Sequence, residues 1–231
     1  MREYRHLRTS VLILVVLGIL ALIGMGMFKS ENDIGEAVWA PINAVSEREG
    51  VYALTINVES GSSLDELMRF AELTSESKIP VCFFFSERFF SVNGESAKKI
   101  AAMHEVGLLI DENTEYMSRG ETLRFLAKIN EQFFEKVGKY PRYVRSTKTS
   151  QGFLPHILDA YGQYGIAAVD PSAAVSDGSI VDMGAIDSTT SARAVALVTK
   201  AAKNDLDPTP LRELLYSVDI KPDIFGVQHG Q

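Results

Sequence analysis

Five consecutive apolar residues, Val81-Cys82-Phe83-Phe84-Phe85, follow Pro80. A strand with one face in water alternates apolar and polar side chains; a strand buried on both faces does not. The run therefore predicts a central strand of a parallel sheet, and parallel neighbours must be joined by crossovers, usually helices. Upstream, Val51 to Gly61 reads as a first strand, apolar through its body and polar at its carboxyl end, where Asn57 and Glu59 stand. Between the two runs, Leu64, Leu67, Met68 and Ala71 recur at helical spacing, with Asp65 and Glu66 in the first turn. Strand, helix and strand make one βαβ unit.

The same alternation continues. Glu95 to Val106 has helical spacing, Gly107 is expected to end that helix, and Leu108 to Ile110 is a third strand followed by the acidic run Asp111-Glu112-Asn113-Thr114-Glu115. Glu121 to Val137 is a long amphipathic helix closed by Gly138, and Tyr140 to Arg145 enters a strand that delivers Arg145 to its end. A helix over Phe153 to Tyr164 leads through Gly165 into Ile166 to Val169. Gly178 to Met183 is a further strand, Ser191 to Lys203 a helix, and Pro208 to Val218 a last one, before a weakly patterned tail from Asp219. In such α/β folds ligands collect at the carboxyl ends of the strands, which makes Asn57, Glu59, Asp111, Glu112, Asn113, Arg145 and Lys148 the binding candidates.

A formal net charge of −7, with no block of Lys and Arg after residue 30, argues against nucleic acid as a partner. Cys82 is the single cysteine and sits in an apolar run, so it reads as core filling. None of His6, His104, His156 and His229 has a partner at metal-ligand spacing. A serine nucleophile at Ser60 or Ser146 would need a histidine base, and no histidine falls at a predicted strand end. An oxygen-rich site from Glu59, Asp111, Glu112 and Asp182 would suit Mg²⁺, Ca²⁺ or Mn²⁺; solvated loop carboxylates are the simpler reading.

The amino terminus carries a different signal. Residues 1–10 hold Arg2, Arg5 and Arg8, and Val11 to Phe28 runs about eighteen residues without a charge, close to the ~20 that span a bilayer. The basic end is expected to stay cytoplasmic, with the body outside and Glu31, Asp33 and Glu36 on the translocated side. The length of the run and Lys29 directly after it favour an uncleaved anchor over a signal cleaved near Gly24-Met25-Gly26. The organisation expected is a cytoplasmic tail over 1–10, a transmembrane signal-anchor over 11–28, a linker over 29–50 and one domain over 51–231, in a single-pass protein of the cell membrane.

Four segments of that domain resemble the polysaccharide deacetylase, or NodB-homology, family. Ala53-Leu54-Thr55-Ile56-Asn57-Val58 is similar to the family's A-L-T-F-D-D opening, and Val81 to Phe85 to its A-T-F-F-V strand. Val137-Gly138-Lys139-Tyr140-Pro141-Arg142-Tyr143-Val144-Arg145 is similar to T-G-x-x-P-x-x-F-R, and Gly178 to Gly184 to G-D-I-I-L-L-H. With the anchor, Gly61 points towards the membrane-anchored sporulation-type branch. The resemblance implies a distorted (β/α) barrel and hydrolysis of acetyl groups on a glycan, by a divalent metal, commonly zinc, held by one aspartate and two histidines.

Carried over residue by residue, the general base becomes Asn57, the metal-binding aspartate Val58, the two histidine ligands Asn113 and Met117, and the catalytic histidine Gly184. Asn57 has no basic site for a proton at neutral pH, and Val58 has no donor atom. Arg145, which in the family orients the base, is the one functional match. It is expected to pair with Glu59 or Asp111. The expectation is therefore a barrel that has lost metal-dependent deacetylation, needs no cofactor, and binds cell-wall glycan or serves as a scaffold. A divalent metal has a place only at a non-family site. The alternatives are an active hydrolase with a relocated acidic site and a platform for an envelope or sporulation protein.

Overall fold

The computed structural model describes residues 41–45, 48–110, 117–147 and 154–217. The tail over 1–10, the expected membrane segment 11–28 and most of the expected linker lie outside the described residues. Among the described residues no helix is long and apolar enough to cross a membrane.

The chain alternates as its pattern predicts: β1 (Val51–Val58), α1 (Leu64–Glu76), β2 (Val81–Ser86), α2 (Glu87–Val92), α3 (Gly94–Met103), β3 (Glu105–Ile110), α4 (Arg119–Val137), β4 (Tyr143–Ser146), α5 (Pro155–Gln163), β5 (Ala167–Ala168), β6 (Ile180–Asp182), α6 (Thr190–Ala202), β7 (Asp207–Pro208) and α7 (Leu211–Leu214), ending in a 3-10 turn over Leu215–Ser217. The sheet order is β5-β4-β3-β2-β1-β6, with β7 pairing β1. Every ladder is parallel.

Side chains alternate between two cores, as the two-residue period of a strand requires. Leu54, Ile56, Val58, Phe83, Phe85, Leu108, Ile110 and Val144 pack in the cluster with the helices. Ala53, Cys82, Phe84, Leu109, Tyr143, Ala167, Val169 and Ile180 form a second cluster on the concave side. The unbroken apolar run at β2 is thus read correctly as buried on both sides, and Cys82 is core. The helix-side cluster is rich in aromatic pairs, including Phe85 with Phe89 at 5.2 Å and Phe90 edge-on to Phe133 at 5.1 Å.

The curled sheet does not close by pairing β5 with β6. Residues 42–45, expected to be linker, bridge the gap between them. Ile42 pairs with Val169 and Ala44 with Ser179. Ile42 N–H donates to the Ala168 carbonyl at 2.9 Å, Val45 N–H to Gly178 at 2.8 Å, and the Asn43 carbonyl accepts from Ile180 N–H at 3.1 Å. Gly178 makes that approach feasible: its φ is +63° and a Cβ there would lie 1.9 Å from the Val45 carbonyl oxygen.

Three boundaries differ from the periodicity. Gly107 does not end a helix; α3 stops at Met103 and Gly107 lies inside β3. The reason is packing, because a Cβ at Gly107 would come within 2.7 Å of the Phe84 ring. His104 ends α3 in extended backbone, its Nε2 paired with the Ala71 carbonyl at 2.8 Å and the Thr74 hydroxyl at 3.3 Å. Ser86 then caps an unforeseen short helix, α2, by accepting from Phe89 N–H at 3.3 Å. The last expected helix, from Pro208, is cut to α7 because Pro208 pairs with Tyr52 in the β7–β1 ladder. By contrast α4 starts two residues early on a capping box between Ser118 and Glu121, and Gly138 closes it at φ +80° as expected.

Candidate functional site

The carboxyl ends of the strands converge on Arg145. It is 1% exposed and stands on the concave face of β4, opposite Leu109 in register. The space that Gly107 leaves is filled by the Phe84 ring, and the Arg145 guanidinium carbon lies 4.4 Å from that ring's centroid. Arg145 Nη1 donates to Asn57 Oδ1 at 3.3 Å and lies 3.7 Å from Asp182 Oδ1. Asp182 is the register partner of Thr55, whose hydroxyl donates to the Val181 carbonyl at 2.9 Å and so pins β6 to β1.

Burial of the guanidinium pushes its pKa down, and Asp182, Cys82 and Asp170 hold it up. Asp170 is 3% exposed and follows β5. Among the described residues, Arg145 Nε and Nη2 have no hydrogen-bond acceptor. Of the two expected ion-pair partners, Asp111 lies outside the described residues and Glu59 is not the partner seen: Arg145 meets Asp182. Glu59 is exposed, four residues past the register partner of Asp182, or roughly 13 Å further along at strand spacing. Asp111, Glu112, Asn113 and Lys148 lie outside the described residues.

The other positions taken from the resemblance fall as follows. Val58 is fully buried and packs with the helices, on the opposite face from Asn57. The Met117 carbonyl accepts from His156 Nε2 at 2.8 Å, which joins the start of α4 to the first turn of α5. Gly184 has φ +74° with nothing within 4 Å of a Cβ placed there. Sequence reasoning missed Asp170 and Phe84 as partners of Arg145. Asp170 had the same signal as Asn57, a polar residue directly after an apolar strand run; Phe84 had none, because an inward aromatic looks like any other core residue.

No family model matches the chain, and no curated protein matches it either. Solved structures do. A wild-type CE4 family pseudoenzyme from Bacillus anthracis superimposes with a TM-score of 0.65 at 22% identity, covering 77% of this chain and 69% of that one. The chain has the fold of the family 4 carbohydrate esterases. A mutant of the same pseudoenzyme with restored enzymatic activity gives a TM-score of 0.67 at 20% identity, over 77% of this chain and 71% of that one. PdaA of Bacillus subtilis, a family 4 carbohydrate esterase, gives 0.64 at 15% identity, over 78% and 86%. The resemblance read from the four sequence segments is thereby carried by the fold.

That fold does not bring its usual metal site with it. A catalytic zinc needs three protein ligands and an open position. Here Asn57 offers a neutral amide already bonded to Arg145, Val58 offers no donor and faces the helices, and Met117 offers a thioether. The residues present do not fit the metal. Among the described residues no group of three or more His, Cys, Asp or Glu could hold one elsewhere; Asp111 and Glu112 of the expected acidic site lie outside them.

Proposed function

We propose that this chain is a pseudoenzyme of the polysaccharide deacetylase type, held at the outer face of the cell membrane by residues 11–28 and acting as a glycan-binding or scaffold module of the envelope. The observation that carries the loss of activity is the contact between Asn57 and Arg145. The arginine that would orient a carboxylate base is bonded to an amide that cannot take a proton from water. Val58, turned to the helix side, supports the same reading, as does the pseudoenzyme among the structures that share the fold.

The test is a deacetylation assay on chitooligosaccharide and on peptidoglycan, with and without a chelator. Product at background in both conditions is expected. Chelator-sensitive release of acetate would overturn the reading. Binding is measured separately, by co-sedimentation of the purified chain with isolated cell wall, where retention in the pellet is expected.

A further inference from the structure

The curled sheet is closed by four residues rather than by a strand. β5 and β6 are joined through residues 42–45 by two single bridges, Ile42 with Val169 and Ala44 with Ser179. β1 and β2, by contrast, pair over five residues in unbroken register. Of the four closing residues only Val45 is buried; Ile42 is half-buried, and Asn43 and Ala44 are exposed. A segment with so little buried surface and so short a ladder opens at a lower free energy than the sheet around it.

The two strands do not depend on this segment equally. β6 is also laddered to β1, with Ala53 to Thr55 facing Ile180 to Asp182, and Met183 N–H donates to the Thr55 carbonyl at 2.8 Å. β5 is two residues long, and its only strand partner among the described residues is β4. Val169 N–H still reaches the Val144 carbonyl at 2.9 Å, but the next amide, Asp170 N–H, donates to the Ile42 carbonyl at 2.9 Å. Ile42 N–H donates in turn to the Ala168 carbonyl, so Ile42 grips both sides of Val169.

That dependence reaches the mouth of the barrel around Arg145. Asp182, 3.7 Å from the guanidinium, comes from the strand that β1 holds. Asp170, the buried carboxylate whose charge also favours the guanidinium, takes its backbone bond from Ile42. We propose that residues 42–45 form a detachable strap that sets the position of Asp170 relative to Arg145. With the strap seated, both carboxylates act on the guanidinium; with it lifted, Asp170 is released and Asp182 stays in place. Such coupling is reciprocal, so removing the Arg145 charge loosens the strap. Neither glycan binding nor the loss of activity enters into it.

Hydrogen exchange of the full chain in detergent micelles, followed amide by amide by NMR, is the test. In the unaltered chain the Val45 and Asp170 amides are expected to exchange at least tenfold faster than those of Phe83 to Phe85 in β2. Two variants lift the strap. Gly178→Ala places a Cβ 1.9 Å from the Val45 carbonyl oxygen, and Ile42→Ala/Val45→Ala removes side-chain packing without that clash. In both, exchange at Asp170 should rise at least a further tenfold with Met183 unchanged, and the Arg145 Nε–H resonance should shift. Gly138→Ala, at φ +80° with only Lys98 side-chain atoms within 4 Å, controls for backbone strain and should do neither. Arg145→Met should speed the Val45 and Asp170 amides several-fold. Val45 and Asp170 exchanging at the rate of β2 in the unaltered chain would overturn the detachable strap, as would equal acceleration of β2 and Met183 in both strap variants. An Arg145 resonance that stays fixed while the Asp170 amide accelerates removes the positioning role, and so does unchanged strap exchange in Arg145→Met.

Discussion

The two ends of the barrel solve burial differently. At the floor, Leu211 and Leu214 of α7 and Leu215 of the 3-10 turn after it close the concave core against Ala53, Cys82 and Tyr143, and one carboxylate, Glu105, accepts the Arg212 N–H at 3.3 Å. At the mouth, a buried guanidinium meets an amide at 3.3 Å and a carboxylate at 3.7 Å, with two nitrogens lacking acceptors among the described residues. Apolar packing of the first kind stabilises in proportion to area. Buried ions of the second kind roughly break even at best. The mouth therefore keeps a polar arrangement around the arginine that stability does not require.

Substitution at each end measures that contrast. Leu214→Ala, at a fully buried position, should lower unfolding free energy by about 2–5 kcal/mol in a urea titration, the range for deleting a buried leucine side chain. Arg145→Met should fall short of it, at about 2 kcal/mol or less. The methionine keeps much of the packing on Phe84, and Asp182, whose side chain is 25% exposed, hydrates when its partner leaves. A loss of about 3–5 kcal/mol in Arg145→Met would make the mouth as structural as the floor and remove the contrast.

Catalysis sharpens the same comparison. Asn57→Asp restores a carboxylate beside Arg145 but supplies no metal ligand, since Val58 still faces the helices and Met117 still offers sulfur. Its acetate release on chitooligosaccharide should stay at the background of the unaltered chain, with zinc added. A zinc-dependent rise from this one change would show that the mouth retains more of the site than its side chains indicate.

The contrast between the ends was only half legible in the sequence. Strand and helix alternation, the two-sided burial of Val81 to Phe85 and the αL cap at Gly138 follow from local patterning, and the structure keeps them. Asn57, Val58 and Gly184 could be set against family positions because the segments around them resemble the family's motifs. What was not readable depends on contacts far apart in sequence. Gly107 looked like a helix stop until Phe84, 23 residues away in the chain, was seen to occupy its Cβ position. Residues 42–45 looked like linker because a single bridging segment has no periodicity of its own.

The smallest expected effect separates the ends by pH. Burial pushes the Glu105 carboxyl above its usual value of 4.5, against the opposing pull of the Arg212 and Leu211 N–H groups and the Arg212 charge. A carboxyl whose folded pKa is raised stabilises the fold fully below its unfolded pKa, and that contribution is lost as pH rises through the folded value. His104, the preceding residue in the chain, has the opposite slope. Its pKa is lowered from 6.5 by burial, so its contribution is present above 6.5 and lost as pH falls through the lower folded value. Between about pH 4.5 and 6.5 the two partly cancel in the unaltered chain. Glu105→Gln keeps a group able to accept the Arg212 N–H and abolishes the carboxyl's titration, so thermal midpoints measured across that window should rise more steeply with pH than those of the unaltered chain. Arg145→Met should leave the slope there as it is, because neither Glu105 nor His104 is within its contacts at the mouth. Equal slopes in the unaltered chain and Glu105→Gln would mean that α7 does not desolvate the carboxylate, and the floor would then be less tightly closed than its leucines indicate.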